Sequence, residues 1–178
     1  TASADVQITA DGSTATVSGT IDTNPGGIVT VYSDNISLTG SIDAGASNVF
    51  LLPDTPGTGV TIQGIGPYDL ALGELTSITA GTIFVGEDSG GTVTAGAVSV
   101  CPSASADIGA RNISVSGNSI TVGGANNTLT TTGTVTLDSA NAIDGGDDDA
   151  TADMSAGVVI MTASSGGIGT TTPIDISA

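Results

Sequence analysis

Basic side chains are almost missing from this sequence of 178 residues. It contains 18 Asp and Glu residues, no Lys, no His and a single Arg, Arg111, so its formal net charge is −17. Proteins bind nucleic acids through Lys and Arg contacts to phosphates, so the composition excludes nucleic-acid binding. It excludes attraction to anionic membrane surfaces for the same reason. The composition also leaves one trypsin site, which suits a protein exposed to proteases outside the cell.

Cysteine and long apolar segments are scarce as well. The one cysteine, Cys101, cannot form an internal disulfide, and we interpret it as a small buried residue or as half of an intermolecular bridge. No apolar run is long enough to span a bilayer, so we expect no membrane insertion. Residues 1–20 lack the basic start and apolar block of a secretion signal, which predicts a mature chain or an internal segment.

Short runs of alternating apolar and polar residues dominate the sequence. Each run places two Val, Ile or Leu side chains on one face and Ser or Thr on the other, which is typical of β-strands. No window has the 3.6-residue spacing of a helix. Many short strands separated by Gly and Asn predict an all-β fold of stacked coils, a parallel β-solenoid, with residues 1–178 as a single segment. The clearest runs are residues 28–31, 36–38, 60–62, 113–115, 120–122 and 135–137.

The length of the chain predicts the size of this solenoid. With roughly 20 residues per turn and about 4.8 Å between turns, 178 residues would form about nine turns and a rod about 40 Å long. Within it we expect Val115 to point inward and Ser116 to point outward into water. Asp11-Gly12 predicts a turn between two strands, and the prolines and glycines of 53–59 predict a projecting loop.

Tandem immunoglobulin-like β-sandwiches are the alternative fold. Sandwiches need longer antiparallel strands, and they usually contain a core tryptophan or a tyrosine corner. The sequence has no Trp, and its strand patterns are short. These two features favour the solenoid.

Two segments resemble the filamentous haemagglutinin-like family of large secreted bacterial adhesins. From Glu74 to Val100 the chain is similar to that family's ELxxITAGTIxVG…SGxVTVxGAVSV run. From Val158 to Ile176 it is similar to the family's LTAxxGIGTxxxPLxV pattern. The resemblance implies a right-handed parallel β-helix that is exported across the outer membrane. It implies a role in adhesion or matrix, with a host-cell or matrix glycan or protein as ligand, and no catalytic site or cofactor.

A cluster of aspartates in 138–153 is the one candidate metal site. Asp144, Asp147, Asp148 and Asp149 could hold calcium, which prefers several oxygen ligands. The tandem Gly-Gly-x-Gly-x-Asp rhythm of calcium-binding β-rolls is missing. The other interpretation is a solvated turn whose like charges repel.

Two other functions of β-helices are weighed against the structural role. Polysaccharide lyases need cationic side chains, and glycosidases need paired carboxylates, usually with aromatic platforms for sugar rings. Arg111 is the only cation, and the four aromatic rings occupy unrelated positions in the sequence, so we expect no enzyme. Ice-binding solenoids need Thr-x-Thr in register on every turn, whereas residues 130–132 and 170–172 are isolated Thr clusters.

Both ends of the sequence have strand patterns and no recognisable cap. Residues 4–9 begin in an alternating pattern and residues 173–178 end in one. Open strand edges invite pairing with other chains, and natural solenoids shield them. We therefore expect self-association end to end, in an extracellular filament or a longer chain.

Overall fold

The computed structural model describes residues 4–177, which form an all-β parallel solenoid of about seven turns. Its one helix within this range is α1 (Leu72–Thr76). This confirms the predicted fold class. The strands are β1 (Val6–Val17), β2 (Thr20–Asp22), β3 (Val29–Leu38), β4 (Ser41–Asp43), β5 (Val49–Pro53), β6 (Val60–Ile62), β7 (Tyr68–Leu70), β8 (Ile78–Thr79), β9 (Ile83–Val85), β10 (Ala97–Val100), β11 (Ala106–Asp107), β12 (Ile113–Gly117), β13 (Ser119–Val122), β14 (Leu129–Ser139), β15 (Ile143–Gly145), β16 (Met154–Ala163) and β17 (Ile176–Ser177).

One long parallel sheet runs through every turn. Its strand order is β1-β3-β5-β9-β12-β14-β16-β17, and β11 also pairs with β14. Residues of equivalent position lie directly opposite one another from turn to turn, and two such interior columns point inward. The first column is Val6, Val29, Val49, Ile83, Ile113, Val135 and Val159, and the second is Ile8, Val31, Leu51, Val85, Val115, Leu137 and Met161.

Two further parallel sheets close the coil. The second sheet has the order β15-β13-β10-β6-β7, and the short sheet has the order β2-β4-β8. β-Branched residues and leucine fill the space between the three sheets in one contiguous core. These residues suit a narrow interior because they pack well from a pleated surface. No helix in the described part of the chain is long and apolar enough to cross a membrane.

The number of turns is smaller than predicted, about seven rather than nine. Several turns do have the expected length, since Val29 and Val49 are paired neighbours 20 residues apart. The third turn is much longer, because Val49 pairs with Ile83. It contains β6, β7 and α1, and β7 pairs alongside β6 within the second sheet. An inserted strand therefore consumes residues without adding a turn.

Two predicted breaks differ in detail from the structure. Asp11-Gly12 does not separate two strands, since β1 continues past it with a register shift between Ala10 and Thr14, and Gly12 adopts a φ of 59°. This corner is therefore a β-bulge within β1, and the strand continues around the coil beyond it. Pro53 ends β5 and is buried, and the neighbouring Asp54 N–H donates to Ser33 O at 3.0 Å. The ladder can include Pro53 because its missing N–H is not needed there.

The predicted facing is right for Val115 and for Ser116, but the predicted exposure of Ser116 to water is wrong. Val115 is fully buried in the second interior column, but Ser116 is also fully buried although it points outward. The connection at 86–96 folds back over this part of the sheet, and Gly96 O accepts from Asn118 N at 2.8 Å. Gly86, with a φ of 89°, passes so close to Ser116 O that a β-carbon would collide with it.

Candidate functional site

The outer edge of β1 is the first of two open ends of the long sheet. β1 pairs with β3 on one side, and no strand within 4–177 pairs with its other side. The inward side chains of Val6, Ile8 and Ala10 pack against the core but remain partly exposed. An edge of this kind offers unpaired backbone N–H and C=O groups together with uncovered apolar surface.

The outer edge of β16 is the second open end. β14 pairs with β16 along most of its length, whereas β17 covers the other side only at Met154 and Ser155. From Val158 to Ala163 that side has no strand partner within the described residues. The inward Val159 and Met161 are partly buried against the core, while the outward Ile160 is 48% exposed. This end therefore also exposes a layer of core residues.

An acidic corner lies close to this second end. It consists of Asp147, Asp149, Asp153 and Asp175, and Asp153 is only 2% exposed. Burial raises the pKa of Asp153, and the charges of the other three aspartates raise it further. One of its oxygens accepts from Asp175 N at 3.0 Å. A β-carbon on Gly123, which has a φ of 79°, would collide with the same carboxylate, so glycine makes room for it.

Of the four predicted calcium ligands, Asp147 and Asp149 lie together in the acidic corner, whereas Asp144 and Asp148 have other surroundings. Asp144 accepts from Thr171 N at 2.9 Å, and this hydrogen bond is the main reason that its pKa is lowered. Asp149 accepts from Thr151 N and from Asn126 N, which lower its pKa. Asp148 is exposed.

Asp147 completes the predicted set. Its Oδ2 is buried and lacks a hydrogen-bond partner among the described residues, and its pKa is raised, first by desolvation and then by the charge of Asp149. No group of three or more His, Cys, Asp or Glu side chains within 4–177 is arranged to hold a metal ion. Calcium binding stays a prediction, which a calorimetric titration tests.

Arg111 has a structural role that the sequence did not indicate. Its guanidinium donates from Nε to Ile78 O at 2.9 Å, from Nη1 to Ile108 O at 3.0 Å and from Nη2 to Thr76 O at 2.6 Å. Ile78 belongs to β8, the last strand of the short sheet, and Ile108 follows β11. The only cation of the chain therefore joins two strands whose backbones do not pair. A shallow cavity of about 180 Å³ lies beside it.

Glu74 connects β3 and β7, two further strands whose backbones do not pair. Its Oε1 accepts from Leu38 N at 3.0 Å, and its Oε2 accepts from Ala71 N at 2.9 Å, at the start of α1. Asn35 assists from β3, because its Oδ1 accepts from Asp69 N at 3.1 Å. Glu74 is the first residue of the segment 74–100 that resembles the adhesin family. Its hydrogen bonds stabilise the coil.

The outward face of the long sheet carries an aromatic pair. Phe50 and Phe84 are direct neighbours, with ring centroids 4.7 Å apart and ring planes 16° apart, and Tyr32 lies beside Leu52 on the same face. The expectation that the four rings are unrelated in position is therefore wrong for Phe50 and Phe84. The outward residues that oppose one another from end to end are Gln7, Thr30, Phe50, Phe84, Ser114, Thr136 and Ile160.

Cys101 is a free and fully buried thiol, as the first of its two interpretations predicted. It follows β10 with a φ of 55°. Burial raises the pKa of its thiol to about 11, so very little thiolate exists at neutral pH. Because the thiolate is the reactive form, this cysteine is chemically quiet.

No protein-family model, curated protein or solved structure matches the chain. The β-solenoid fold is therefore assigned from the structure alone.

Proposed function

We propose that this protein is a structural and adhesive β-solenoid module of an extracellular bacterial surface protein or fibre. Modules of this kind stack end to end into a stiff, protease-resistant rod. The observation that carries the proposal is the long sheet, which runs through about seven turns and finishes at both described ends on an open edge. A continuous ladder with an exposed core layer at each end is suited to extension along its axis.

The mechanical argument follows from the direction of the hydrogen bonds. In a β-solenoid the backbone hydrogen bonds connect successive turns, so they lie along the axis of the rod. The interior columns add a layer of Val, Ile or Leu at each turn. Stretching or bending the rod would therefore break several backbone bonds and expose apolar side chains at once.

The surface location rests on composition and resemblance. Acidic residues, Ser, Thr and Gly dominate the exterior, and the one trypsin site is Arg111, whose guanidinium is bound to three carbonyls. A protease needs a flexible, accessible segment, and this residue is partly buried and tied to two turns. The two segments that resemble filamentous haemagglutinin-like adhesins agree with an exported rod.

An adhesive role requires a surface that a ligand can contact. Tyr32 and Phe84 are partly exposed on the outward face of the long sheet, next to the buried ring of Phe50. Aromatic rings of this kind contact sugar rings and protein side chains, so this face is the place to look for a host-cell or matrix glycan or protein.

Immunogold electron microscopy of intact source cells tests the proposal. We expect label outside the cell envelope, on rods or fibres, and retention of the label after treatment of the cells with trypsin. Label confined to the cell interior would overturn the proposed function. A glycan-array and matrix-protein binding assay tests adhesion separately, with Tyr32→Ala and Phe84→Ala expected to weaken binding and Thr121→Ala, on another face, as the control.

A further inference from the structure

We propose that β1 of one copy of this chain pairs in parallel with the outer edge of β16 in a second copy, with Val6 opposite Val159. This inference rests on the proposed function, and it specifies the partner and the register of the contact. It concerns Val6–Ala10 on one side and Val159–Ala163 on the other.

The register follows from the interior columns. Val6 and Val159 are the two ends of the first column, and Ile8 and Met161 are the two ends of the second. Placing Val6 opposite Val159 continues both columns across the junction. A shift by one residue would turn Val6, Ile8 and Ala10 to the outside, because side chains alternate between the faces of a strand. A shift by two would place Val6 opposite Gly157, or Val159 opposite Ala4, so that one Val would lose its large apolar partner.

The side chains at the two ends are matched in size and character. Val6 would cover Val159, Ile8 would cover Met161, and the small Ala10 would meet the small Ala163. All of these residues are partly exposed and packed against the core of their own end. Val6–Ala10 and Val159–Ala163 contain no Lys, Pro or bulge, which are among the devices that protect an edge strand from such pairing, and the bulge of β1 begins only after Ala10.

Charge opposes the contact at low ionic strength. Each copy has a formal net charge of −17, so two copies repel one another until salt screens them. We therefore expect end-to-end oligomers to increase between about 10 mM and 0.5 M NaCl, over which the screening length falls from about 30 Å to below 10 Å.

Disulfide trapping tests the register. In the chain with Gln7→Cys and Ile160→Cys, the two cysteines of neighbouring copies would be direct neighbours at about 4.8 Å between Cα atoms, within the range that a disulfide allows. Gln7 and Ile160 are exposed, so both changes leave the core intact. The native thiol of Cys101 is buried and does not interfere. We expect a ladder of covalent oligomers under mild oxidation in 0.5 M NaCl.

The control pair is Thr9→Cys with Ile160→Cys, in which the cysteines would be about 8 Å apart, beyond disulfide range. We expect this pair to cross-link at least tenfold more slowly than the first. Equal rates, or a faster control, would overturn the register. Monomers at all salt concentrations, with no ladder from either pair, would overturn pairing between copies. Both of these results are distinct from failure of the proposed function, which the cell-surface labelling measures independently.

Discussion

Tyr68 places a hydroxyl inside the solenoid without a hydrogen-bond partner among the described residues. The side chain is fully buried, and the hydroxyl of Ser33 beside it is also buried, but the two hydroxyls form no hydrogen bond of good geometry. A buried polar group without a partner costs about 1–3 kcal/mol of stability. Tyr68→Phe keeps the ring and removes the hydroxyl, so we expect the free energy of unfolding to stay equal or rise by up to about 2 kcal/mol.

Chemical denaturation followed by circular dichroism measures this effect. The control is Tyr68→Ala, which removes the ring and should lower the free energy of unfolding by about 3–5 kcal/mol. A loss of more than about 1 kcal/mol in Tyr68→Phe would show that the hydroxyl has a partner after all.

Asp153 makes the stability of the protein depend on pH. Its pKa is raised above the value in the unfolded chain, first by burial and then by neighbouring aspartates. A raised pKa means that the folded state binds the proton more tightly, so stability is gained as the pH falls through that pKa. The lowered pKa of Asp144 acts in the opposite direction, because its contribution is lost as the pH falls below about 3.9 and through the lowered value.

We therefore expect Asp153→Asn to raise the melting temperature at pH 7, because the substitution removes a buried charge and keeps the shape of the side chain. The gain should shrink as the pH falls through the raised pKa of this carboxyl, because the wild-type side chain then takes up a proton and loses its buried charge. Thermal melts between pH 3.5 and 8 measure it. Asp148→Asn removes an exposed charge between Asp147 and Asp149 in the sequence, and a pH profile equal to that of Asp153→Asn would show that burial is not the cause.

At the scale of the strand, Arg111 and Glu74 connect turns that the backbone leaves unpaired. The break between β8 and β11 is joined through Ile78 O and Ile108 O, and the break between β3 and β7 is joined through Leu38 N. Both side chains are charged, and charged hydrogen bonds are stronger than neutral ones. The solenoid thus tolerates an inserted strand and a long connection because side chains replace the missing ladder bonds.

We expect Arg111→Met to lower the free energy of unfolding by about 2–4 kcal/mol, since it keeps an apolar stem and removes three hydrogen bonds from a charged donor. The free energy of unfolding of Arg111→Lys should lie between those of the wild type and Arg111→Met, because an ammonium cannot reproduce the planar fork of donors. Denaturant titration measures both. Ser103→Asp makes the same change in net charge at an exposed position, and an equal loss there would attribute the effect to charge alone.

The sequence predicted the strands well and the connections poorly. Runs such as 113–115 and 120–122 alternate strictly, so their facing can be deduced from period alone, and Val115 and Ile120 are indeed buried. The burial of Ser116 depends on a connection that starts 30 residues earlier, and no local pattern records it. The contact between Phe50 and Phe84 was missed because it depends on the unusual length of the third turn.

The whole molecule is a stack in which each turn contacts mainly its neighbours. Stability in such a stack is the sum of the turns and of the interfaces between them, so a terminal turn has one interface where a central turn has two. Residues of the central turns, such as Leu51, Val85 and Val115, are fully buried. The equivalent Ile8 and Met161 in the terminal turns are only partly covered.

This gradient predicts the pattern of amide hydrogen exchange. At low salt, where copies repel one another, we expect the slowest exchange in β5, β9 and β12, governed by global unfolding, and the fastest in the outer halves of β1 and β16, which open locally. At 0.5 M NaCl, pairing between copies should slow exchange in Val6–Ala10 and Val159–Ala163 together. The central strands gain protection as well, because association raises the free energy of global unfolding. The double variant Gln7→Lys, Ile160→Lys places a charge on each edge. It should lose the salt-dependent protection of both edge segments, while its central strands exchange as slowly as those of the wild type at low salt. Slower exchange in the central strands without slower exchange in Val6–Ala10 and Val159–Ala163 would instead indicate that salt stabilises the turns themselves and not a contact between copies.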